Sequence, residues 1–151
     1  MISSILFSGT YAKKNEPSIT LTEFDHEPMN IVYFDQSDVI MFQDYDTDNV
    51  YRSVDAGVSW KRVKGLPEGK AWTMRPHPFD TKRAYILTPG GTHYKTDDRG
   101  KTWDKFETGY EETVFADRLP LTFHADDPNK IIFNGMDCQD VFCIELVSNS
   151  R

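Results

Sequence analysis

Cysteine is scarce in this chain, with two among 151 residues, so neither a disulfide framework nor a four-thiolate zinc site can hold it together. Long apolar runs are missing as well: none approaches the roughly 18 residues that cross a bilayer as a helix. No cluster of lysine and arginine offsets a formal net charge of −7, from 24 acidic and 17 basic residues. That balance argues against nucleic acid and anionic membrane as partners. No glycine-rich loop runs into Lys and then Ser or Thr, and "TPGG" at Thr88 lacks the rest of that motif, so nucleotide binding has no support. A sustained 3.6-residue apolar stripe is absent too, even between Asp104 and Glu112, and no helix is predicted. The opening "MISSILFSGTYA" is apolar only in patches broken by Ser and Gly, without a basic leader, and matches a signal peptide poorly.

What the chain does have is aromatic residues, 10 Phe, 7 Tyr and 3 Trp, a density that favours packed β structure over disorder. It also repeats itself. "YRSVDAGVSWKRV" from Tyr51 and "YKTDDRGKTWDKF" from Tyr94 match in aromatic, base, hydroxyl, Asp, Gly, hydroxyl and Trp at a spacing of 43 residues. Periods of that size point to propellers, solenoids or arrays. Within each period the apolar runs are short and bounded by turn residues: "NIVYFDQ", "DVIMFQD", "NVYRS" and "SWKRV", then "AWTMRPHP", "RAYILT", "THYKT" and "TWDKF". Four such runs make one antiparallel sheet. A third unit opens with "LPLTFHADDP" and "KIIFNGMD", its His124 echoing His77 at a spacing of 47 residues.

The predicted fold is therefore all-β, an incomplete β-propeller with about two complete four-stranded antiparallel blades plus part of a third. The blade units fall at about 28–68, 70–110 and 117–143. Residues 1–19 form a lead-in outside the repeat, read as disordered, and 144–151 a tail that departs from the pattern. Blades stacked face to face bury both faces of each sheet. That accounts for nearly continuous apolar strands such as "IVYF" and "KIIF" in place of clean alternation.

The repeated motif reads as a hairpin clasp. Ser53, Asp55, Gly57, Ser59 and Trp60 fall where a strand must reverse, as do Thr96, Asp98, Gly100, Thr102 and Trp103. An Asp carboxylate accepts backbone N–H bonds a few residues ahead and fixes the turn from inside. Glycine supplies a positive φ, and the returning Trp covers the hairpin while its indole N–H seeks an acceptor.

These residues form the Asp box, S/T-x-D-x-G-x-S/T-W, also called the BNR repeat. The segments "VYRSVDAGVSWKRVKGLPEGKAWTMRPHPFD" and "RAYILTPGGTHYKTDDRGKTW" resemble the lumenal propeller domain of the sortilin family, in particular its fungal vacuolar sorting receptors. The lead-in "TEFDHEPMNIVYFDQSDVIMFQD" looks like the first blade of that domain and "TFHADDPNKIIFNGMDC" like a later one. The resemblance covers residues 20–143. It implies a propeller of ten blades followed by cysteine-rich modules and a membrane anchor. It also implies a non-enzymatic receptor that binds hydrolase precursors in the late Golgi and carries them to the vacuole. The partner would be polypeptide cargo and the compartment the Golgi or endosomal lumen. The sequence departs from the family by stopping within its third blade, so it reads as a truncated piece unable to transport cargo alone, or as an inactive decayed copy of the receptor. Uncovered blade edges in such a piece favour self-association. Cys138 and Cys143 fit either a local disulfide or two quiet thiols; entry into the secretory pathway, as the resemblance implies, favours the disulfide.

Sharper chemistry finds less support. Asp44, Asp46, Asp48 and Asp55 occupy positions 1, 3, 5 and 12 of a calcium-loop pattern, but Asn49 stands where the loop wants Gly and Asp55 where it wants Glu. Those acids, with Glu68, read as a solvated connection, and neither a metal nor a cofactor is expected. Sialidases share the clasp, which makes a sialidase-type glycoside hydrolase the alternative reading. Asp55 and Asp98 lie on outer hairpins, however, and the arginine cluster and tyrosine nucleophile such a site needs have no counterpart here. His26, His77, His93 and His124 are scattered and read as backbone hydrogen-bonding groups.

Overall fold

The computed structural model describes residues 2–8, 18–112, 119–139 and 142–149. Fourteen strands and no helix fill them, so among the described residues no helix is long and apolar enough to cross a membrane. The chain is all-β, an unclosed sector of a β-propeller. In the lead-in, β1 (Ile2–Ser8) pairs antiparallel with β2 (Ser18–Phe24).

The first four-stranded sheet runs β3 (Pro28–Tyr33), β4 (Ile40–Asp44), β5 (Val50–Ser53) and β6 (Lys61–Arg62), neighbours in space as in sequence. The second repeats the arrangement with β7 (Thr73–Pro76), β8 (Ala84–Leu87), β9 (Thr92–Thr96) and β10 (Asp104–Glu107). In the third sheet, β13 (Ile131–Gln139) pairs antiparallel with β11 (Glu111–Glu112), β12 (Leu121–Phe123) and β14 (Phe142–Asn149).

Strand β8 shows why these runs are apolar throughout. Ala84 and Ile86 point into a core with Met41, Val50 and Met74 between the first and second sheets. Tyr85 and Leu87 point the other way, into a core with Leu121, Ile131 and Phe133 against the third. Alternation along a strand is preserved, but both faces are dry. Gln43 shows how a polar group trapped between sheets is paired. The Gln43 amide, fully buried, donates to Ala71 O and to Asp48 Oδ1 (3.2 Å), and its oxygen accepts from Asn30 Nδ2 at 2.9 Å.

His93, also fully buried, closes a relay across the second sheet. Thr88 N–H donates to its Nδ1 at 3.2 Å, so Nε2 carries the proton and faces Thr108 Oγ1 at 3.0 Å; that hydroxyl donates in turn to Tyr110 O at 2.7 Å. Burial lowers the His93 pKa from its ordinary 6.5, whereas a hydrogen bond to Asp44 raises that of His26.

Two expectations follow from this packing. A Cβ at Gly100, at φ +76°, would fall on Met41 Sδ across the sheet interface, whereas one at Gly109, at φ +75°, meets nothing within 4 Å. Gly100→Ala is expected to cost roughly 2–4 kcal/mol and Gly109→Ala only about 1 kcal/mol in urea unfolding, since the second suffers backbone strain without overpacking; equal losses would exclude the Met41 contact as a cause. Second, His93 should titrate below 6.5 and His26 above it in a histidine NMR titration. The neutral relay then contributes stability that is complete above 6.5 and lost as pH falls through the His93 value. The reverse order of the two titrations would refute the relay.

Candidate functional site

The repeated motif sits at the β5–β6 and β9–β10 turns, and the two copies are wired alike. In the first, Ser53 Oγ accepts from Gly57 N at 2.8 Å and donates to Asp55 Oδ1 at 2.7 Å. Asp55 then takes the N–H of Ser59 on Oδ1 (2.9 Å) and its hydroxyl on Oδ2 (2.6 Å). Trp60 folds back so that its indole N–H donates to Gly57 O at 3.0 Å. In the second, Thr96 Oγ1 bonds Gly100 N (2.8 Å) and Asp98 Oδ1 (2.8 Å), while Asp98 takes Thr102 N (2.8 Å) and Thr102 Oγ1 (2.6 Å). Trp103 differs from Trp60, because its buried indole nitrogen has no hydrogen-bond partner among the described residues.

The turn is tighter than its glycine alone suggests. Ala56 and Arg99, each just before the glycine, also hold positive φ, at 55° and 59°. Their amides donate to Asp38 O (2.9 Å) and Lys82 O (2.8 Å), tying each clasp to the preceding strand connection of its own sheet. The Ser59 hydroxyl and N–H, with the Ser53 hydroxyl, hold the Asp55 carboxyl down to about 2. Burial pushes Asp98 up, but the Thr102 hydroxyl and N–H and the Thr96 hydroxyl outweigh it and leave it lowered.

Side chains also stitch neighbouring sheets. Arg52 Nε donates to Arg99 O, in the second clasp, at 2.7 Å. From the second sheet, Arg83 bonds Pro128 O and Asn129 Oδ1 (3.1 Å) in the third, and pairs with Asp97 at 2.6 Å. Thr73 Oγ1 donates to Glu112 Oε1 at 2.7 Å, and burial raises the Glu112 pKa. Hollows lie among the described residues. One of about 320 Å³ lies between the second and third sheets beside Tyr85, Lys95 and Phe106. Another, of about 200 Å³, lies between β2 and the first sheet, walled by Phe24, Phe42, Tyr51 and Trp60.

The chain matches the family described as "Sortilin, neurotensin receptor 3" over residues 48–151. The chain belongs to the Sortilin-Vps10 family. Its relatives include proteins named vacuolar protein sorting/targeting protein 10. That of Verticillium alfalfae is 48% identical over 139 residues, which cover 92% of this chain and 10% of the relative. That of Chaetomium globosum is 49% identical over 136 residues, 89% of this chain and 9% of the relative, and that of Colletotrichum graminicola 43% identical over 143 residues, 95% and 9%. The chain spans about a tenth of the length of these relatives.

Within this Sortilin-Vps10 chain the other candidates singled out in the sequence go to local wiring. The Asp44 carboxylate is engaged by its own turn and by His26: its Oδ1 accepts from Asp46 N and Thr47 N, both at 3.0 Å, and its Oδ2 faces His26 at 3.0 Å. Among the described residues no three His, Cys, Asp or Glu side chains converge as a metal-holding group. His77 Nδ1 accepts from Phe79 N at 3.1 Å, and His124 Nδ1 from Asp126 N at 3.2 Å, so the two echoing histidines fix equivalent turns. Cys138 and Cys143 are direct backbone partners across β13 and β14; their side chains lie outside the described residues. Sequence reading missed the Arg52 and Arg83 bridges and the left-handed Ala56 and Arg99. Only the register of one sheet against the next reveals the former, and nothing in a lone Ala or Arg announces the latter.

The clasp bonds predict a pH signature. Asp55→Asn should lower the melting temperature at neutral pH by removing the charge that gathers these donors. A depressed carboxyl contributes stability that is complete above its ordinary value of 3.8 and lost as pH falls through about 2. The gap between parent and variant in thermal melts should therefore shrink across that window. A gap unchanged down to pH 2 would mean that shape, not charge, holds the turn.

Proposed function

We propose that this chain is part of a non-enzymatic cargo-binding module of a sortilin-like receptor, one that sorts hydrolase precursors from the late Golgi to the vacuole and works in the Golgi or endosomal lumen. The observation that carries this reading is the family match across residues 48–151, joined to relatives named for vacuolar sorting and targeting. In this reading the two clasps are Asp boxes that brace the blades, and the 151 residues supply a sector of the binding face without transporting cargo by themselves.

The wiring of the clasp carboxylate Asp55 supports a bracing role over a hydrolytic one. A general acid needs a raised pKa so that it holds a proton near neutral pH. Asp55, held to about 2, has none to give there, and its oxygens are occupied by Ser53 and Ser59.

A capture experiment tests the proposal. The chain extended with the downstream sheets of a fungal relative, immobilised and exposed to purified vacuolar hydrolase precursors, should retain at least one precursor and release the mature enzyme; the chain alone should retain far less. An extended form that retains no precursor, or that cleaves a fluorogenic sialoside, would overturn the reading.

A further inference from the structure

Strand β13 is the hub of the third sheet, pairing with β11, β12 and β14. Its register with β14 runs without a break from Ile132 opposite Asn149 to Gln139 opposite Phe142. Directly opposed residues of an antiparallel pair belong to the same face of the sheet, and their Cα atoms lie about 4.5 Å apart at one kind of pair and about 5.5 Å at the other. Disulfides join Cα atoms roughly 4.4–6.8 Å apart, so either kind of pair admits one. The chain has two cysteines, and the register makes them counterparts: Cys138 stands opposite Cys143.

We propose that Cys138 and Cys143 form a cross-strand disulfide that pins the β13–β14 register. The bond arises by two exchanges with an external disulfide, here oxidised glutathione. One cysteine thiolate attacks it and releases a first reduced glutathione; the second thiolate then attacks the mixed disulfide and releases the other. Two cysteine thiols are oxidised, one glutathione disulfide is reduced to two thiols, and the protons pass to the departing thiolates. Register is specified most weakly in strands that carry glycine, as β13 does at Gly135 opposite Leu146. A slip by one residue would set Cys138 opposite Phe142 or Ile144 and move the whole strand to the other face. A covalent tie near the turn end of the ladder opposes that slip.

This inference stands apart from the cargo reading, and its test uses the 151-residue chain. The reduced chain, equilibrated with mixtures of oxidised and reduced glutathione, quenched in acid and treated with N-ethylmaleimide, should show by intact mass neither a labelled thiol nor a glutathione adduct at the oxidising end of the series. Its exchange constant should exceed that of the same chain in concentrated urea by about tenfold or more, because the ladder holds the two thiols at a higher effective concentration than the loose segment does. Moving the second thiol one place, Cys143→Ser with Ile144→Cys, should remove that gain, since successive residues of a strand belong to opposite faces. Equal constants with and without urea, a shifted variant as favourable as the parent, or two labelled thiols at every ratio would each overturn the pairing.

Discussion

A sheet with two apolar faces is unstable until both are covered, and everything else in this chain follows from that requirement. Strand β8 states it in four residues: Ala84 and Ile86 are sealed by one neighbour, Tyr85 and Leu87 by another, and all four are buried. Burying a large apolar side chain stabilises by about 1.5–3 kcal/mol, and such pairs recur at every interface between the sheets. The same demand explains why the buried Gln43 amide is held on several sides. A buried amide such as Gln43 left without partners would cost about as much as one of those apolar contacts contributes.

Stacked sheets need their hairpins held at a fixed angle, and the clasps do this with side chains in place of extra strand. Each uses a hydroxyl and a carboxylate to satisfy turn amides that the ladder cannot reach. The backbone then enters the left-handed region at two successive residues, one of them not glycine. That strain, about 1–2 kcal/mol for a non-glycine residue, is offset by the bonds the geometry allows, among them Ala56 N to Asp38 O and Arg99 N to Lys82 O. Arg52 extends the wiring across the interface by bonding the carbonyl of Arg99. A clasp thus fixes its own hairpin and offers the neighbouring sheet an acceptor.

Much of this architecture was legible beforehand because it is local. The period of 43 residues, the four strands per period and the acceptor role of the repeated Asp all follow from neighbouring residue types. The histidines at positions 77 and 124 were readable as backbone hydrogen-bonding groups for the same reason. What stayed hidden depends on the stacking of one sheet on the next. The burial of His93, the bridges from Arg52 and Arg83, and the contact of Thr73 with Glu112 join residues whose proximity no periodicity encodes. Strand β1 was hidden differently: its residues resemble an irregular lead-in, and only pairing with β2 makes them extended.

The hollow beside β2 shows how a repeat sets equivalent residues against different neighbours. Of its lining residues, Phe42, Tyr51 and Trp60 match, position for position, Ile86, Tyr94 and Trp103, which pack in the core between the first and second sheets. What changes is the neighbour: the β1–β2 pair, tethered by Thr22 Oγ1 to Gly57 O at 3.1 Å, lies against the first sheet, whereas the first sheet lies against the second. What a ring touches here is therefore set by which neighbour its face has, and the clasp sequence, identical in kind at both positions, carries no trace of it.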